Sequence, residues 1–229
     1  MTHPYPQPPA PPTPGPPPSP AAWKDADREH RRAMIIDLAL HLLTDEGPDA
    51  LTMRRVAREL GVGAMTLYTY IDGQPGLHRA MVQRGFDIIH HNCATACETQ
   101  QAQKAQADYA EDGSGGWSGG ARAYVQFATQ HPNLYRLMFD TPVDANDEQF
   151  DQLMHGGFQG LHTVVRERLE AQGLKGKLLD TETRKLAGRY WIALHGLATL
   201  AIAGRMQVLH GTLDEVLLHL LEAVAPTKG

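Results

Sequence analysis

Between Leu51 and Leu77 the chain holds two short helical segments broken by a glycine corner, and no other stretch limits its fold so sharply. Thr52 stands just before a periodic run, where its hydroxyl can accept from the first turn. Arg55 stands three residues on, where a capping box has Glu or Gln, so Thr52 caps alone. Val56, Ala57 and Leu60 recur at helical spacing and share one face. Gly61 follows, at the place where helices end in the left-handed conformation that glycine adopts without strain. Val62 plugs the angle, Ala64 to Tyr70 is the second short helix, and Leu67 is its inward residue. A helix, a tight corner and a second short helix is the arrangement that lays a helix in the DNA major groove.

The outward residues suit that groove. Ala64 is small and lets the backbone approach the bases. Thr66, Tyr68, Thr69 and Tyr70 carry hydroxyls for phosphate oxygens or base edges. Arg54 can reach a guanine edge with two donors, and Met65 can contact a thymine methyl. Thr52 and the helix start behind it suit a phosphate, because unpaired N–H groups and the helix dipole both favour an anion. The competing reading is a buried helical corner with a tyrosine-rich outer face. The length of each piece and the placement of Arg and Thr favour DNA.

With these residues in view, the region 31–85 resembles the DNA-binding domain of TetR-family repressors. The residues that carry the resemblance are Ala33, Ile36 to Ala39, Glu46-Gly47, Leu51 to Ala57, Leu60-Gly61-Val62 and Thr66-Leu67-Tyr68-Thr69-Tyr70. The resemblance implies DNA contacts at Thr52, Arg54, Ala64, Met65, Thr66, Tyr68, Thr69 and Tyr70. It also implies a long fourth helix whose first residues touch a phosphate. The family usually has lysine there, and this chain has Gln74, a neutral donor that releases less counterion.

Charge gives no independent support. The net charge is −5, and from Lys24 to Arg84 the signs nearly cancel. Arg28, Arg31 and Arg32 cluster on the first helix, and Arg54, Arg55 and Arg58 on the second; Arg31 and Arg58 are read as a solvated face. The expected binding is specific and salt-sensitive. Cys93 and Cys97 are the only cysteines and lie one helical turn apart, where a bridge between them is geometrically poor. With no signal peptide and no long apolar run, the expectation is a cytoplasmic protein. His90, His91, Cys93 and Cys97 lack the paired knuckle of a metal site, so no metal and no cofactor are expected.

The expected fold is all-α. Residues 1–22 are proline-rich and are read as a disordered arm unable to form helix. Residues 23–73 form the helix-turn-helix domain, and 74–229 a larger helical domain for ligand binding and dimerisation. Expected helices are 28–46, one from about Gln74 into the hundreds, 121–130, 133–139, 147–171, 181–204 and 212–224, with a glycine-rich break over 109–120 and a turn over 173–177. Two apolar stripes, Leu186, Tyr190, Leu194, Leu197 and Ala201, then Leu213, Val216, Leu217, Leu220, Leu221 and Val224, are expected to build a four-helix homodimer interface; the competing role is closure of the core of one chain. A dimer reads two half-sites of a near-palindromic operator.

Residues 120–225 carry a second resemblance. Phe127-Ala128, His131 to Phe139, and Trp191 with His195-Gly196 are similar to the WHG-type C-terminal domain of the same family. That resemblance implies a helical ligand-binding and dimerisation domain and leaves the ligand open. Residue types make Phe127, Leu134, Met138, Phe139, Phe158, His162, Trp191 and His195 the pocket candidates, and their apolar, aromatic character favours a flat or greasy molecule. For each of them core packing is the competing role. There is no Gly-x-Ser-x-Gly elbow, P-loop or dinucleotide fingerprint, so no enzyme is expected. The expected function is a ligand-responsive repressor released from double-stranded DNA by a small apolar or aromatic effector that shifts the fourth helix and changes the spacing of the reading heads. The alternative is an all-helical small-molecule-binding or interaction protein whose helix-turn-helix no longer reads DNA.

Overall fold

A computed structural model describes residues 20–106, 117–142 and 147–224; the 1–19 part of the proline-rich arm and most of the 109–120 break lie outside the described residues. Among the described residues ten α-helices follow one another and there is no strand: α1 (Pro20–Asp25), α2 (Arg28–Glu46), α3 (Met53–Glu59), α4 (Ala64–Leu67), α5 (Gly73–Gln106), α6 (Trp117–Gln130), α7 (Pro132–Phe139), α8 (Glu148–Ala171), α9 (Gly176–Ile202) and α10 (Leu213–Val224). The chain is all-α, as its periodicity requires. Among the described residues no helix is long and apolar enough to cross a membrane.

Local chemistry sets the first boundaries. Asp27 caps α2 by accepting from the His30 N–H at 2.9 Å, and Gly47, at φ 87°, ends it before Pro48. Along α2, Ile35, Ile36, Leu38, Ala39, Leu40, Leu42 and Leu43 are buried. Thr52 Oγ1 accepts from the Arg55 N–H at 3.1 Å, which is the predicted cap of α3. Gly61 sits at φ 68°, the left-handed position expected of it.

Packing divides the chain into two units. The first runs up to Ile88 and includes His131–Phe150; the second is Ile89–Gln130 with the chain from Asp151 onward. The boundary therefore falls inside α5, whereas the sequence suggested it at the start of that helix. The first unit also recruits α7, which the sequence placed in the ligand-binding domain. The reason is specific packing. Asn133 Nδ2 donates to the Leu43 carbonyl at the end of α2, 2.9 Å away. His78 Nε2 pairs with the Leu137 carbonyl at 3.1 Å. Met138 lies over Gly85, and Phe86 meets Phe139 edge-on at 6.0 Å. Arg79 pairs with Asp147 at 2.9 Å, and Arg84 with Asp37 at 2.8 Å.

In the second unit α6, α9 and α10 pack on one another. Phe127, Val125, Leu186, Tyr190, Leu194, Leu197 and Leu217 are among its buried residues. Leu186, Tyr190, Leu194 and Leu197, offered by the sequence as a dimer stripe, thus close the core of a single chain. Helix α9 begins at Gly176, five residues before the expected start, and so absorbs the last two residues of the expected turn. Likewise α6 begins at Trp117 and takes in Gly119 and Gly120. Residues 20–22, assigned to the arm, are helical in α1. Their helix has a buried anchor, Trp23, that composition does not reveal.

Candidate nucleic-acid interface

Helix α4 has a single turn, too short to be stable on its own, so its order comes from tertiary contacts. Leu67 is fully buried. On the other side Met65 is 78 % exposed and Tyr68 52 %, an unusual way to spend two large apolar side chains unless a partner covers them. Thr69 is also exposed, while Ala64, Thr66 and Tyr70 are half-buried. The expected helix to Tyr70 is shorter than that: Tyr68, Thr69 and Tyr70 continue as a turn, with the Tyr70 N–H donating to the Leu67 carbonyl at 2.9 Å. Thr69 Oγ1 donates to the Thr66 carbonyl, so its hydroxyl is already engaged.

On α3, Thr52 and Arg54 are exposed. Arg54 makes no ion pair with any described residue, whereas its neighbour Arg55 is held by Glu46 at 2.7 Å and Glu59 at 3.1 Å. The two arginines therefore divide their work: one braces the corner, and the other leaves its donors open to solvent. Gln74 Nε2 donates to the Leu51 carbonyl at 3.0 Å. It ties the start of α5 to the segment before α3 rather than pointing away as a free donor. Arg58 is solvated, as read, beside Glu59 at 3.7 Å. Arg31 departs from its expected place on a solvated face: Arg31 Nη1 donates to the Tyr70 hydroxyl at 3.2 Å, and Trp23 packs edge-on against the same ring at 5.4 Å. Sequence reasoning missed Trp23, Arg28 and Arg31 as a group. The only available signal was a tryptophan next to a proline-rich stretch.

The pocket candidates fall into two groups. Leu134, Met138 and Phe139 belong to the first unit, where Leu134 and Met138 are buried. Phe127, Phe158, His162, Trp191 and His195 belong to the second. Within that unit Phe127 is fully buried core. Phe158 meets Trp191 edge-on at 4.7 Å, and Trp191 lies 5.5 Å from His195. Trp191 Nε1 is buried and has no hydrogen-bond partner among the described residues. A buried N–H without an acceptor is costly and calls for an explanation. Two of the four residues weighed for a metal, His90 and Cys93, bond to backbone carbonyls. His90 Nε2 pairs with the Gly157 carbonyl at 2.7 Å, and Cys93 Sγ donates to the Gly120 carbonyl at 3.3 Å. No three His, Cys, Asp or Glu side chains converge among the described residues.

An all-helical chain with an N-capped helix, a left-handed glycine corner and a short helix with an exposed outer face is of the helix-turn-helix regulator class. Comparison with known proteins gives the particular family. Residues 35–73 match the model described as bacterial regulatory proteins of the tetR family, and residues 117–224 match the tetracyclin repressor-like C-terminal domain. The chain belongs to the TetR family of transcriptional regulators.

Among its relatives is an uncharacterized HTH-type transcriptional regulator, Rv0681, of Mycobacterium tuberculosis. It is 29% identical over 175 residues, covering 76% of this chain and 72% of the relative. The HTH-type transcriptional repressor DrrR1 of Streptomyces coeruleorubidus is 29% identical over 113 residues, 48% of this chain and 36% of that protein. Solved structures share the fold. A Rhodococcus protein of unknown function has a TM-score of 0.66 at 23% identity, covering 88% of this chain and 95% of its own. A TetR family transcription regulator from Marinobacter aquaeolei has a TM-score of 0.55 at 14% identity, covering 86% and 94%.

Proposed function

We propose that the protein is a dimeric DNA-binding repressor released by a small apolar or aromatic molecule. The observation that carries the DNA half is the two-faced helix α4, with Leu67 fully buried and Met65 and Tyr68 exposed. Ala64, Met65, Thr66 and Tyr68 read base edges or line the groove, Arg54 reaches a guanine edge, and Thr52 at the start of α3 holds a phosphate. Thr69 and Tyr70 contribute less directly than their hydroxyls suggested, since both hydroxyls are engaged within the chain.

We assign the dimer face to the outer side of α9. The expected stripe on α9 is buried within one chain, and its outward row is Gly188, Ile192 and Gly196. Ile192 is 67 % exposed, and a Cβ added at either glycine would meet nothing within 4 Å. Small residues flanking an exposed isoleucine suit close approach of the same helix from a second copy. For the effector, Phe158, Trp191 and His195 form the aromatic wall, with His162 as a further candidate from α8. Trp191 Nε1 is the donor that orients a ligand acceptor. Effector and DNA then oppose one another by linkage, through α5, which contributes residues to both units.

The test is selection of bound duplexes from a random pool by the full-length protein at two salt concentrations. A two-fold symmetric site is expected. Arg54→Ala and Tyr68→Ala should each weaken binding to that site by about 1–3 kcal/mol. The engagement of Gln74 with Leu51 favours the second reading, a helix-turn-helix that no longer reads DNA. Absence of any enriched sequence at low salt would establish it.

A further inference from the structure

Helix α1 has six residues, and a helix of that length gains its order from what it docks on. Its anchor is Trp23, 7 % exposed. The indole meets the Tyr70 ring edge-on, with ring centroids 5.4 Å apart and planes at 79°. Arg31, from α2, holds the assembly together. Its Nε donates to the Trp23 carbonyl at 3.0 Å, its Nη2 to the Lys24 carbonyl at 3.0 Å, and its Nη1 to the Tyr70 hydroxyl at 3.2 Å. The same guanidinium lies 5.6 Å from the Trp23 ring. Arg28 completes the group: its Nη2 donates to the Thr69 carbonyl at 2.9 Å, and its guanidinium lies 5.7 Å from the Tyr70 ring. Tyr70 is thus enclosed by one indole and two guanidinium groups.

The position of this group gives it a consequence. Helix α4 follows the Gly61 corner and is anchored at its last residue by the buried Leu67. Its exit, Tyr68 to Tyr70, is no longer helical and ends on Tyr70. Trp23, Arg28 and Arg31 also lie outside the residues 35–73 that match the family's helix-turn-helix model. We propose that Trp23 and Arg31 are positioning residues for DNA binding: through Tyr70 they set the pose of Tyr68 and of the exit of α4, and they do not themselves touch DNA. The proposal rests on the reading of α4 as the DNA-reading element.

The experiment measures affinity of the full-length protein for the duplex selected from the random pool and for a scrambled duplex, across a salt series, at a temperature where circular dichroism shows each variant folded. Trp23→Ala should lose about tenfold in affinity for the selected duplex while its affinity for the scrambled one changes by less than about twofold. The slope of log affinity against log salt should not change, because no phosphate contact is lost. Trp23→Phe, which restores an aromatic edge, should recover most of the affinity. Tyr70→Phe, which removes only the acceptor of Arg31, should lose about threefold. A role confined to stability would lower the melting temperature and leave the ratio of the two affinities unchanged, and that result overturns the proposal. A salt slope reduced by about one in Arg31→Ala also overturns it, since Arg31 would then hold a phosphate. If Trp23→Ala does not fold, wild-type affinity in Tyr70→Phe overturns it. If the wild-type protein selects no duplex, the DNA reading itself fails, which is a different result from a selecting wild type with indifferent variants.

Discussion

Gly85→Ala is a substitution for which helix propensity and packing predict opposite signs. Gly85 lies inside α5, and alanine in a helix interior is worth about 1 kcal/mol over glycine. Packing reverses that gain. A Cβ at Gly85 would lie 2.3 Å from Met138 Sδ, 3.1 Å from its Cε and 3.3 Å from its Cγ. The clash involves most of the side chain, and Met138 is only 2 % exposed, so it has no solvent to swing into. Overpacking of this kind costs typically about 1–3 kcal/mol. The net expectation is destabilisation of up to about 2 kcal/mol, which for a chain of this size lowers Tm by up to about 8 °C. Thermal melts followed by circular dichroism read the loss, and hydrogen exchange at the amides of Tyr135 to Asp140 assigns it to α7. The double variant Gly85→Ala with Met138→Ala completes the cycle. Met138→Ala alone should cost about 2–5 kcal/mol, and the added methyl should then be neutral or favourable. A Gly85→Ala protein more stable than wild type would refute the reasoning, because it would mean that α7 does not lie on α5 as described.

Other predictions concern charge, thiols and assembly. A hydrogen bond from the Phe150 N–H, followed by the pairing with Arg79, holds the Asp147 carboxyl below the usual carboxylate range. A depressed folded pKa stabilises above the unfolded value and loses that stabilisation as pH falls through the folded one. The Tm difference between wild type and Asp147→Asn should therefore be present at neutral pH and close below about pH 4; a gap that persists in acid speaks against it. Burial, with a smaller part from Cys97, pushes the Cys93 thiol up to about 12. Iodoacetamide at pH 8 should leave Cys93 unmodified in the folded protein and label it in denaturant, with mass spectrometry reading the site; rapid labelling in the native state would contradict the burial. Ile192→Asp should shift the light-scattering mass from dimer to monomer with helix content retained, and a variant that stays dimeric would move the interface off this row of α9.

Where a residue's role is set within a turn or two of itself, the amino-acid sequence determined it. The Thr52 cap, the left-handed Gly61, the inward Leu67 and the outward Met65 and Tyr68 all follow from spacing of 3–4 residues and from glycine's freedom at positive φ, and the structure has each of them in place. The end of α2 at Gly47-Pro48 and the all-helical class follow in the same way. What the tertiary structure alone decided is the choice of partner. Periodicity marks Met138 and Asn133 as parts of a helix but carries no information that they close on Gly85 and on the Leu43 carbonyl, 90 residues away in the second case. It shows an apolar stripe on α9 without saying that the stripe is used within one chain, which leaves Ile192 on the outside. The pairing of Trp23 and Arg31 with Tyr70 spans some forty residues and joins the segment just after the proline-rich arm to a motif with its own internal logic. The hydrophobic effect is non-directional, so a sequence pattern specifies which faces are buried; which face meets which is settled by shape and hydrogen bonding once the elements pack.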